Sequence, residues 1–324
     1  MRVCFYLPES CLPSAEKRAR WQRDQSATLE QGGKIAAAQG WIYRTWMMLE
    51  RIGCPVDLVH AMPEEGCVVA LSGNLPASYR APAGLFLVGV VADSLPHPAA
   101  HLHILQNAAH ARRVPRGRFM PHWPQPGLVP RDKERGMIFE RIAFFGTEVN
   151  LAAELRTATW LDTVKRDTGV TLEIRGAEHW HDYSEVDAAI AIRDFSGARQ
   201  LHKPATKLYN AWLAGVPFIG GADSAYAAEE EAGVDYLVAR SPQEVIAQLR
   251  RLKSDPDLRD KLAANGRRKS SSRNPEAITA MWRDLVEERI PVVAAARLRR
   301  TAWGNHCTDT VMRGVLMLDR IFRS

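Results

Sequence analysis

The sequence predicts an α/β protein of two domains with a helical C-terminal tail, on three observations. Short apolar runs bounded by turn residues alternate with longer segments of helical periodicity, which is typical of parallel strands joined by helices. This pattern stops in a proline-rich stretch at 120–136 and then restarts. The 324 residues exceed one ordinary core, at roughly 100–200 residues per domain. We therefore predict domains over 1–130 and 131–290, and a helical segment over 291–324.

The first domain opens with the apolar run RVCFYL, which we expect to form its first strand. A basic segment from Pro8 to Gln31 follows, and a Gly-Gly turn then begins a helix over 32–53. Further strands are predicted at PVDLVH, CVVAL, GLFLVGVVAD and LHILQN. The prolines of 120–136 disfavour both a helix and a central strand, so this stretch is predicted to be a linker.

The second domain repeats the alternation of strands and helices. Its predicted strands are RIAFFG, VTLEIRG, VDAAIAIR, VPFIGG and DYLVAR, and its helices cover 152–169, 204–214, 224–233, 241–252 and 255–270. Ser241 and Asp255 each precede a proline, which suits an N-cap followed by proline in the first helical turn. The tail has helical periodicity that we expect Pro291 to interrupt.

Composition narrows the possible functions. Hydrophobic residues make up 46% and charged residues 25%, a balance typical of globular proteins, and the net charge of +6 favours an anionic partner. The five cysteines form no CxxC pair, so neither a zinc site nor a disulfide framework is expected, and a cytoplasmic location is predicted. No signal peptide, membrane span, helix-turn-helix or zinc finger is recognisable, and nucleic-acid binding is not expected. No phosphate-binding glycine motif of dinucleotide enzymes or P-loop proteins occurs.

The stretch HKPATKLYNAWLAGVPFIGG, residues 202–221, carries the strongest functional signal. It predicts a helix that begins near Pro204 and ends before Gly215, so the first N–H groups would be free to bind an anion. Lys203 and Lys207 lie one turn apart at this end, where the helix dipole opposes a cation by about 0.3–1 kcal/mol. A bound phosphate would remove that conflict, and Arg193 at the end of the preceding strand adds charge. The alternative is two solvated lysines on an exposed turn.

At these residues the sequence resembles a known group of enzymes. KPATKLYNAWLAGVPFIGG followed by AEEEAGVDYLVARSPQEV is similar to the second half of two-domain glycosyltransferases of the GT-B architecture, closest to the family-4-like group, glycosyl transferases group 1. The similarity is good over about 186–265 and covers only the general layout before residue 120. It implies two Rossmann-like domains facing a cleft, with a tail that crosses back to the first domain. It also implies metal-independent transfer of a sugar from a nucleotide diphosphate sugar, bound by the second domain, to an acceptor held by the first.

The resemblance also assigns roles to residues of this sequence. Lys203, Thr206 and Lys207 would contact the diphosphate, with Arg193 helping to stabilise the leaving group. Gly33 and Gly146 match two glycine turns that face the donor, and Asn210 stands where a ribose-binding glutamate is common. The other acid of that pair falls on His202, while Glu229 or Glu230 falls near the sugar-side acidic position.

Two further residues are candidates for the chemistry itself. Asp93 ends an apolar strand, so its carboxylate would emerge at the functional edge of the sheet as a base for an acceptor hydroxyl. The alternative for Asp93 is a cap or turn residue. His97 would face the cleft and hydrogen-bond the transferred sugar. A metal site shared by His97, His101 and His103 is not expected.

Several functional alternatives stay open at the level of sequence. The acceptor could be a glycan, a lipid-linked sugar or another hydroxyl compound, as in polysaccharide biosynthesis. The basic run at 14–23 and the arginine-rich tail could contact an anionic membrane on its inner face, or could be solvated surfaces. The same fold would also suit a nucleotide-sugar hydrolase or epimerase, or a non-catalytic protein that binds nucleotide sugars or polyanions. We expect no cofactor beyond the nucleotide diphosphate sugar as co-substrate.

Overall fold

The computed structural model describes residues 2–24, 33–229 and 233–298, together with Thr310 and Gly314. Within these ranges the chain forms two sheets of parallel strands, which confirms the predicted α/β class. The first domain contains β1 (Val3–Tyr6), β2 (Val56–Val59), β3 (Gly66–Leu71), β4 (Leu85–Val90), β5 (Leu102–Leu105) and β6 (Gly117–Phe119). The second contains β7 (Arg141–Phe145), β8 (Thr171–Arg175), β9 (Ala188–Ala191), β10 (Phe218–Gly220) and β11 (Leu237–Val238). The helices are α1 (Ala15–Arg23), α2 (Gly33–Ala38), α3 (Arg44–Arg51), α4 (Ala108–Ala111), α5 (Ala158–Thr168), α6 (Thr206–Ala214), α7 (Ser224–Glu229), α8 (Pro242–Ser254), α9 (Pro256–Ser270), α10 (Pro275–Asp284) and α11 (Ile290–Leu298).

The order of the strands decides where a ligand can bind. The first sheet runs β2-β1-β3-β4-β5-β6 and the second runs β11-β10-β9-β7-β8. In the second sheet the chain builds outward on one side from β7 to β8 and on the other through β9, β10 and β11. The carboxyl ends of β7 and β9 therefore flank a topological switch point, where open α/β sheets bind their ligands.

The strands are nearly continuous apolar runs because both faces of each sheet are covered by helices. All six residues of β4 and all four of β9 are buried. Strand β6 was not predicted, since its three residues lie in a short polar segment between prolines. It pairs with β5 at the edge of the first sheet, where proline-flanked strands are tolerated.

The helix predicted at 32–53 is observed, with an irregularity in its middle. A π-helical segment, Gln39–Tyr43, joins α2 to α3, and all five of its residues are buried. Such segments arise where an extra residue is accommodated, often at functional sites. Upstream, Trp21 of the basic helix α1 packs against Tyr43 with ring centroids 5.4 Å apart. The basic run at 14–23 therefore keeps its aromatic side chain in the core rather than offering it to a membrane.

The chain returns to the first domain through α10 and α11. Ile278, Trp282 and Ile290 from this segment are completely buried in the core of the first domain. The predicted break at Pro291 is instead a π-helical segment, Leu285–Arg289, after which the helix continues through the proline. A π turn changes the hydrogen-bond register just where the proline lacks an N–H group. None of the helices in the described ranges has the length and apolar character needed to cross a bilayer.

The entrance to the second domain is held by one buried carboxylate, that of Asp187. Arg131 and Arg135 from the end of the linker both pair with it, each with an N–O distance of 2.9 Å. The backbone N–H groups of Glu140 and Arg141 also donate to it, at 2.8 and 3.0 Å. Burial alone would raise the pKa of Asp187, but the hydrogen bonds from Arg135, from the two N–H groups and from Arg131 lower it.

We expect Asp187→Asn to lower the free energy of unfolding by about 3 kcal/mol at neutral pH, because it leaves two partly buried guanidinium groups without their buried counter-charge. Since the pKa of Asp187 is lowered in the folded state, the wild-type advantage should begin to decline as the pH falls below about 4, the pKa of the unfolded carboxyl, and should be lost as the pH falls through the lower pKa of the folded protein. Urea unfolding followed across this pH range measures both effects. The matched control is Asp284→Asn, which breaks the exposed pair with Arg289 and should cost less than about 0.5 kcal/mol.

Candidate functional site

A cavity of about 340 Å³ lies between the two domains, at the carboxyl ends of both sheets. The first domain contributes α2, the π-helical segment and the residues that follow β4 and β5. The second contributes the end of β7 and the beginning of α6. The lining residues are Ala36, Ala37, Gly40, Trp41, Ala92, Asp93, Gln106, His122, Gln125, Phe145, Gly146, Thr147, Asn150, Ala177, Trp180, Pro204, Thr206, Lys207 and Asn210.

The N-terminus of α6 opens into this cavity without a side-chain cap. Its N-cap residue, Ala205, has no side chain that can accept a hydrogen bond, and its carbonyl accepts the N–H groups of Leu208 and Tyr209. The N–H groups of Thr206 and Lys207 have no acceptor among the described residues. The hydroxyl of Thr206 is buried and also lacks a partner there. Three donors therefore converge at the positive end of a nine-residue helix, an arrangement suited to an anion.

Lys207 adds a cation to these donors. Its ammonium lies 5.3 Å from the ring centroid of Phe144, and it forms no hydrogen bond or ion pair with any described residue. Burial lowers the pKa of Lys207 to about 7, and the nearby charge of Arg193 acts in the same direction. Gly146 leaves room for this side chain, since a Cβ there would lie 3.4 Å from Cε of Lys207 and 3.1 Å from the Phe144 ring.

Lys203 is paired across the domain boundary. Its ammonium lies 3.2 Å from a carboxylate oxygen of Asp93, which follows β4 of the first domain. The amide of Gln106 donates to the same oxygen at 3.1 Å and to the carbonyl of His202 at 2.7 Å. Asn107 likewise donates to the carbonyl of Lys203 and to the hydroxyl of Ser224. Two residues expected to act separately, Asp93 and Lys203, thus form one contact that joins the domains.

Comparison with known proteins identifies this architecture. Residues 140–276 match the protein-family model described as glycosyl transferase-like. Sucrose-phosphate synthase from Thermosynechococcus elongatus superposes with a TM-score of 0.55 at 11% identity, over 90% of this chain and 100% of that one. HepE from Anabaena, solved in complex with UDP-glucose, superposes with a TM-score of 0.53 at 14% identity, over 89% of this chain and 99% of that one. The chain has the GT-B fold. No curated protein sequence matches it.

Within this GT-B cleft, Asn210 and the two predicted glycines lie as follows. Asn210 lines the cavity, but its side-chain oxygen already accepts the N–H of Gln125 from the linker at 2.9 Å. Gly33 is the first residue of α2, whose residues Ala36 and Ala37 line the cavity. Gly146 lines it directly at the end of β7.

His97 is a correction to the predicted site, because the GT-B cleft does not include it. Its Nε2–H donates to the carbonyl of Pro76 at 3.0 Å, and its Nδ1 accepts the N–H of Ala99 at 3.2 Å. Burial lowers the pKa of His97 and favours this neutral tautomer. Both ring nitrogens are therefore committed to backbone groups of the first domain, those of Pro76 and Ala99, and none is left for a sugar.

Glu229 is the second correction. Its side chain is only 2% exposed and pairs with Arg273 at 2.7 Å, away from the residues that line the cavity. Arg273 lies at the crossing from α9 to α10 and also faces the ring of Phe119 in the first domain. The carboxylate thus holds the return crossing of the GT-B fold rather than a ligand. The alternative, Glu230, lies outside the described residues.

Among the lining residues that were missed at the level of sequence are Trp41, His122 and Trp180. The ring of His122 meets that of Trp41 edge-on, with centroids 4.9 Å apart, and its Nδ1–H donates to the carbonyl of Trp123 at 2.7 Å. Burial lowers the pKa of His122. The indole N–H of Trp180 is buried and lacks a partner among the described residues. For His122 and Trp180 the available signal was an aromatic side chain inside an otherwise polar linker or loop, whereas Trp41 lies in a buried helical segment and gave no such signal.

Arg193 lies beside the cavity rather than in its wall. Its Nε is 3.7 Å from a carboxylate oxygen of Asp223, and burial raises the pKa of Asp223 to about 6. Among the described residues no three His, Cys, Asp or Glu side chains gather in a way that could hold a metal ion. Arg193, Lys203 and Lys207 bring positive charge to the cleft and its edge.

The lowered pKa of Lys207 can be tested without any ligand. We expect its amine to react with an acylating reagent in proportion to its neutral fraction, with a midpoint near pH 7, as read by mass spectrometry of the labelled peptide. Arg193→Ala should move this midpoint upward, because it removes a neighbouring positive charge. A midpoint close to that of an ordinary lysine, about 10, would contradict the geometry described above.

Proposed function

We propose that this protein is a glycosyltransferase that moves a sugar from a nucleotide diphosphate sugar to a hydroxyl acceptor. The observation that carries the proposal is the uncapped N-terminus of α6, where the N–H groups of Thr206 and Lys207, the Thr206 hydroxyl and the Lys207 ammonium converge in the interdomain cavity. A diphosphate would satisfy all four groups at once. The glycosyl transferase-like match over 140–276, which includes this helix, supports the same reading.

The chemistry follows from the charge that develops during transfer. When the bond between the sugar and the diphosphate breaks, negative charge grows on the leaving oxygen. Donors fixed in a cavity shielded from water stabilise such charge without having to reorganise. Lys207 and the α6 N–H groups would fill this role directly, and Arg193 would add to it from nearby. We propose on this basis that the transfer needs no metal ion and no cofactor other than the sugar donor.

The first domain would hold the acceptor. Asp93 and Gln106 line the cavity on the side facing the anion site, so a hydroxyl there could donate to the Asp93 carboxylate. In the present arrangement Lys203 neutralises Asp93. We propose that a bound diphosphate draws Lys203 toward itself, which frees Asp93 to accept the acceptor's proton or to orient its hydroxyl. The acceptor class proposed is a glycan or a lipid-linked sugar, and peripheral contact of the protein with an anionic membrane belongs to the same proposal.

A second candidate is a protein that binds nucleotide sugars without turning them over. The observation that favours it is the environment of Asn210, whose oxygen is committed to the linker where the resemblance implies a carboxylate. His202 takes the place of the other expected acid. Such a protein would bind the donor and produce neither free nucleoside diphosphate nor transferred sugar.

The experiment that separates these functions has two steps. A thermal-shift panel of UDP-, GDP-, ADP- and dTDP-sugars first identifies the donor that binds. Release of nucleoside diphosphate is then measured with and without a mixture of saccharide acceptors. Release that depends on acceptor supports the transferase, release without acceptor indicates a hydrolase, and binding without release indicates the binding protein.

Lys207→Ala should lower kcat about 100-fold, equivalent to about 2.7 kcal/mol of transition-state stabilisation, because it removes the cation nearest the leaving group. The melting temperature should not fall, since the ammonium forms no hydrogen bond or ion pair with any described residue and its burial is unfavourable. The control is Lys261→Ala, which removes an exposed lysine of α9. A loss of less than about threefold in Lys207→Ala would refute the leaving-group role.

Affinity for a nucleotide sugar should fall with rising pH, because the diphosphate binds the charged form of a lysine whose pKa is about 7 in the free protein. Binding above this pKa must take up a proton, so we expect about 25-fold weaker binding at about pH 8.5 than at about pH 6.5. Lys207→Arg keeps its charge throughout and should give a flat profile in calorimetric titrations. An equal pH dependence in the two proteins would assign the effect to another group.

A further inference from the structure

A second hollow, the side pocket, lies next to the anion site at the carboxyl ends of β9, β10 and β11. Its volume is about 180 Å³ and its lining comes from the second domain alone. The lining residues are Arg193, Asp194, Phe195, Ser196, Gly197, Ala198, Gln200, Gly221, Ala222, Asp223, Ala239 and Arg240. The function proposed above uses Arg193 of this lining for its charge and assigns no ligand to the pocket itself.

Two buried charged groups in the side pocket are poorly satisfied by the protein. The Asp223 side chain is 6% exposed and receives no hydrogen bond from any described residue. Its nearest cation is Arg193, whose Nε is buried and has no hydrogen-bond partner among the described residues. This nitrogen lies 3.7 Å from the Asp223 carboxylate, beyond hydrogen-bonding distance. Burying such groups costs free energy unless they are hydrogen-bonded. The Nε–H of Arg193 and the Asp223 carboxylate therefore indicate a ligand that forms the missing hydrogen bonds.

The chemistry of that ligand follows from what the two groups need. Nε–H of Arg193 needs an acceptor and the Asp223 carboxylate needs a donor, and a hydroxyl group supplies both. An anion such as phosphate would be repelled by Asp194 and Asp223, and a cation would be repelled by Arg193 and Arg240. A neutral molecule with several hydroxyl groups is therefore the ligand class that fits.

The side pocket is also electrostatically coupled to the anion site. The charges of Arg193 and Asp223 both act on the Lys207 ammonium. The loop that lines the pocket leads directly into the beginning of α6, and the N–H of Lys203 donates to the carbonyl of Gln200 at 2.9 Å. The loop that lines the pocket is therefore continuous with the beginning of α6, where the diphosphate is proposed to bind.

We infer that the side pocket binds the sugar ring of the nucleotide diphosphate sugar, with Asp223 and Arg193 as the residues that recognise its hydroxyl groups. This inference rests on the proposed function and assigns the sugar end of the donor to residues that the sequence resemblance did not indicate. Asp223 supplies a carboxylate on the sugar side, whereas His202 and Asn210 occupy the expected acidic positions.

The test compares the affinity of a nucleotide sugar with that of the matching nucleoside diphosphate, by calorimetry with UDP-glucose and UDP, GDP-mannose and GDP, ADP-glucose and ADP, and dTDP-glucose and dTDP. Asp223→Asn should weaken binding of the nucleotide sugar about tenfold. It should not weaken binding of the diphosphate alone, because loss of a negative charge near Lys207 favours an anion. The control, Asp167→Asn on the distant surface pair with Arg250, should change neither affinity.

Ala222→Leu provides an independent variant, since it narrows the pocket and leaves every charge in place. It should weaken binding of the nucleotide sugar and leave binding of the nucleoside diphosphate unchanged. If Asp223→Asn does not fold, this variant tests the inference alone. Parallel changes in both affinities, or no change in either variant, would overturn the inference while leaving the anion site intact. Binding of free glucose or mannose that depends on Asp223 without nucleotide would instead indicate a separate saccharide site. Failure of the wild-type protein to bind any of the eight compounds would reject the proposed function itself.

Discussion

The arrangement of the cleft depends on the unsatisfied N-terminus of α6 and the desolvated lysine beside it. Helix N-termini are normally capped by a side chain, as Ser241 and Asp255 cap α8 and α9 in the same domain. At α6 the N-cap is alanine, and Lys207 is placed where both the helix dipole and the charge of Arg193 oppose it. The packing around Lys207 fixes these charges in place, so the unfavourable arrangement persists in the folded protein. An anion bound there would relieve it.

The surrounding fold holds this conflict in place from two directions. From within the second domain, the Phe144 ring and the absence of a side chain at Gly146 define the path of the lysine. From the first domain, Gln106 and Asn107 bind the carbonyl groups of His202 and Lys203, just before α6 begins. The relative position of the two domains therefore affects the backbone that leads into α6. This is a physical reason why both domains contribute to the cleft.

The three buried carboxylates described above have different surroundings and different properties. Asp187 receives two guanidinium groups and two N–H groups, and its pKa is lowered. Glu229 is paired closely with Arg273 at the return crossing. Asp223 has a loosely placed arginine and no hydrogen bond among the described residues, and its pKa is raised to about 6. The first two are satisfied by the protein and stabilise it, whereas the third is left available to interact with a ligand.

The sequence by itself determined the alternation of strands and helices, the caps at Ser241, Asp255 and Gly215, and the position of the α6 N-terminus with its free N–H groups. These features depend on periodicity and local backbone chemistry, which neighbouring residues in the chain suffice to specify. Only the tertiary structure decided that Lys203 faces Asp93, that His97 and Glu229 are committed elsewhere, and that His122 and Trp180 line the cleft. These outcomes depend on which residues distant in the chain become neighbours and on which buried polar groups find partners. The spacing of residues along the sequence specifies neither of these.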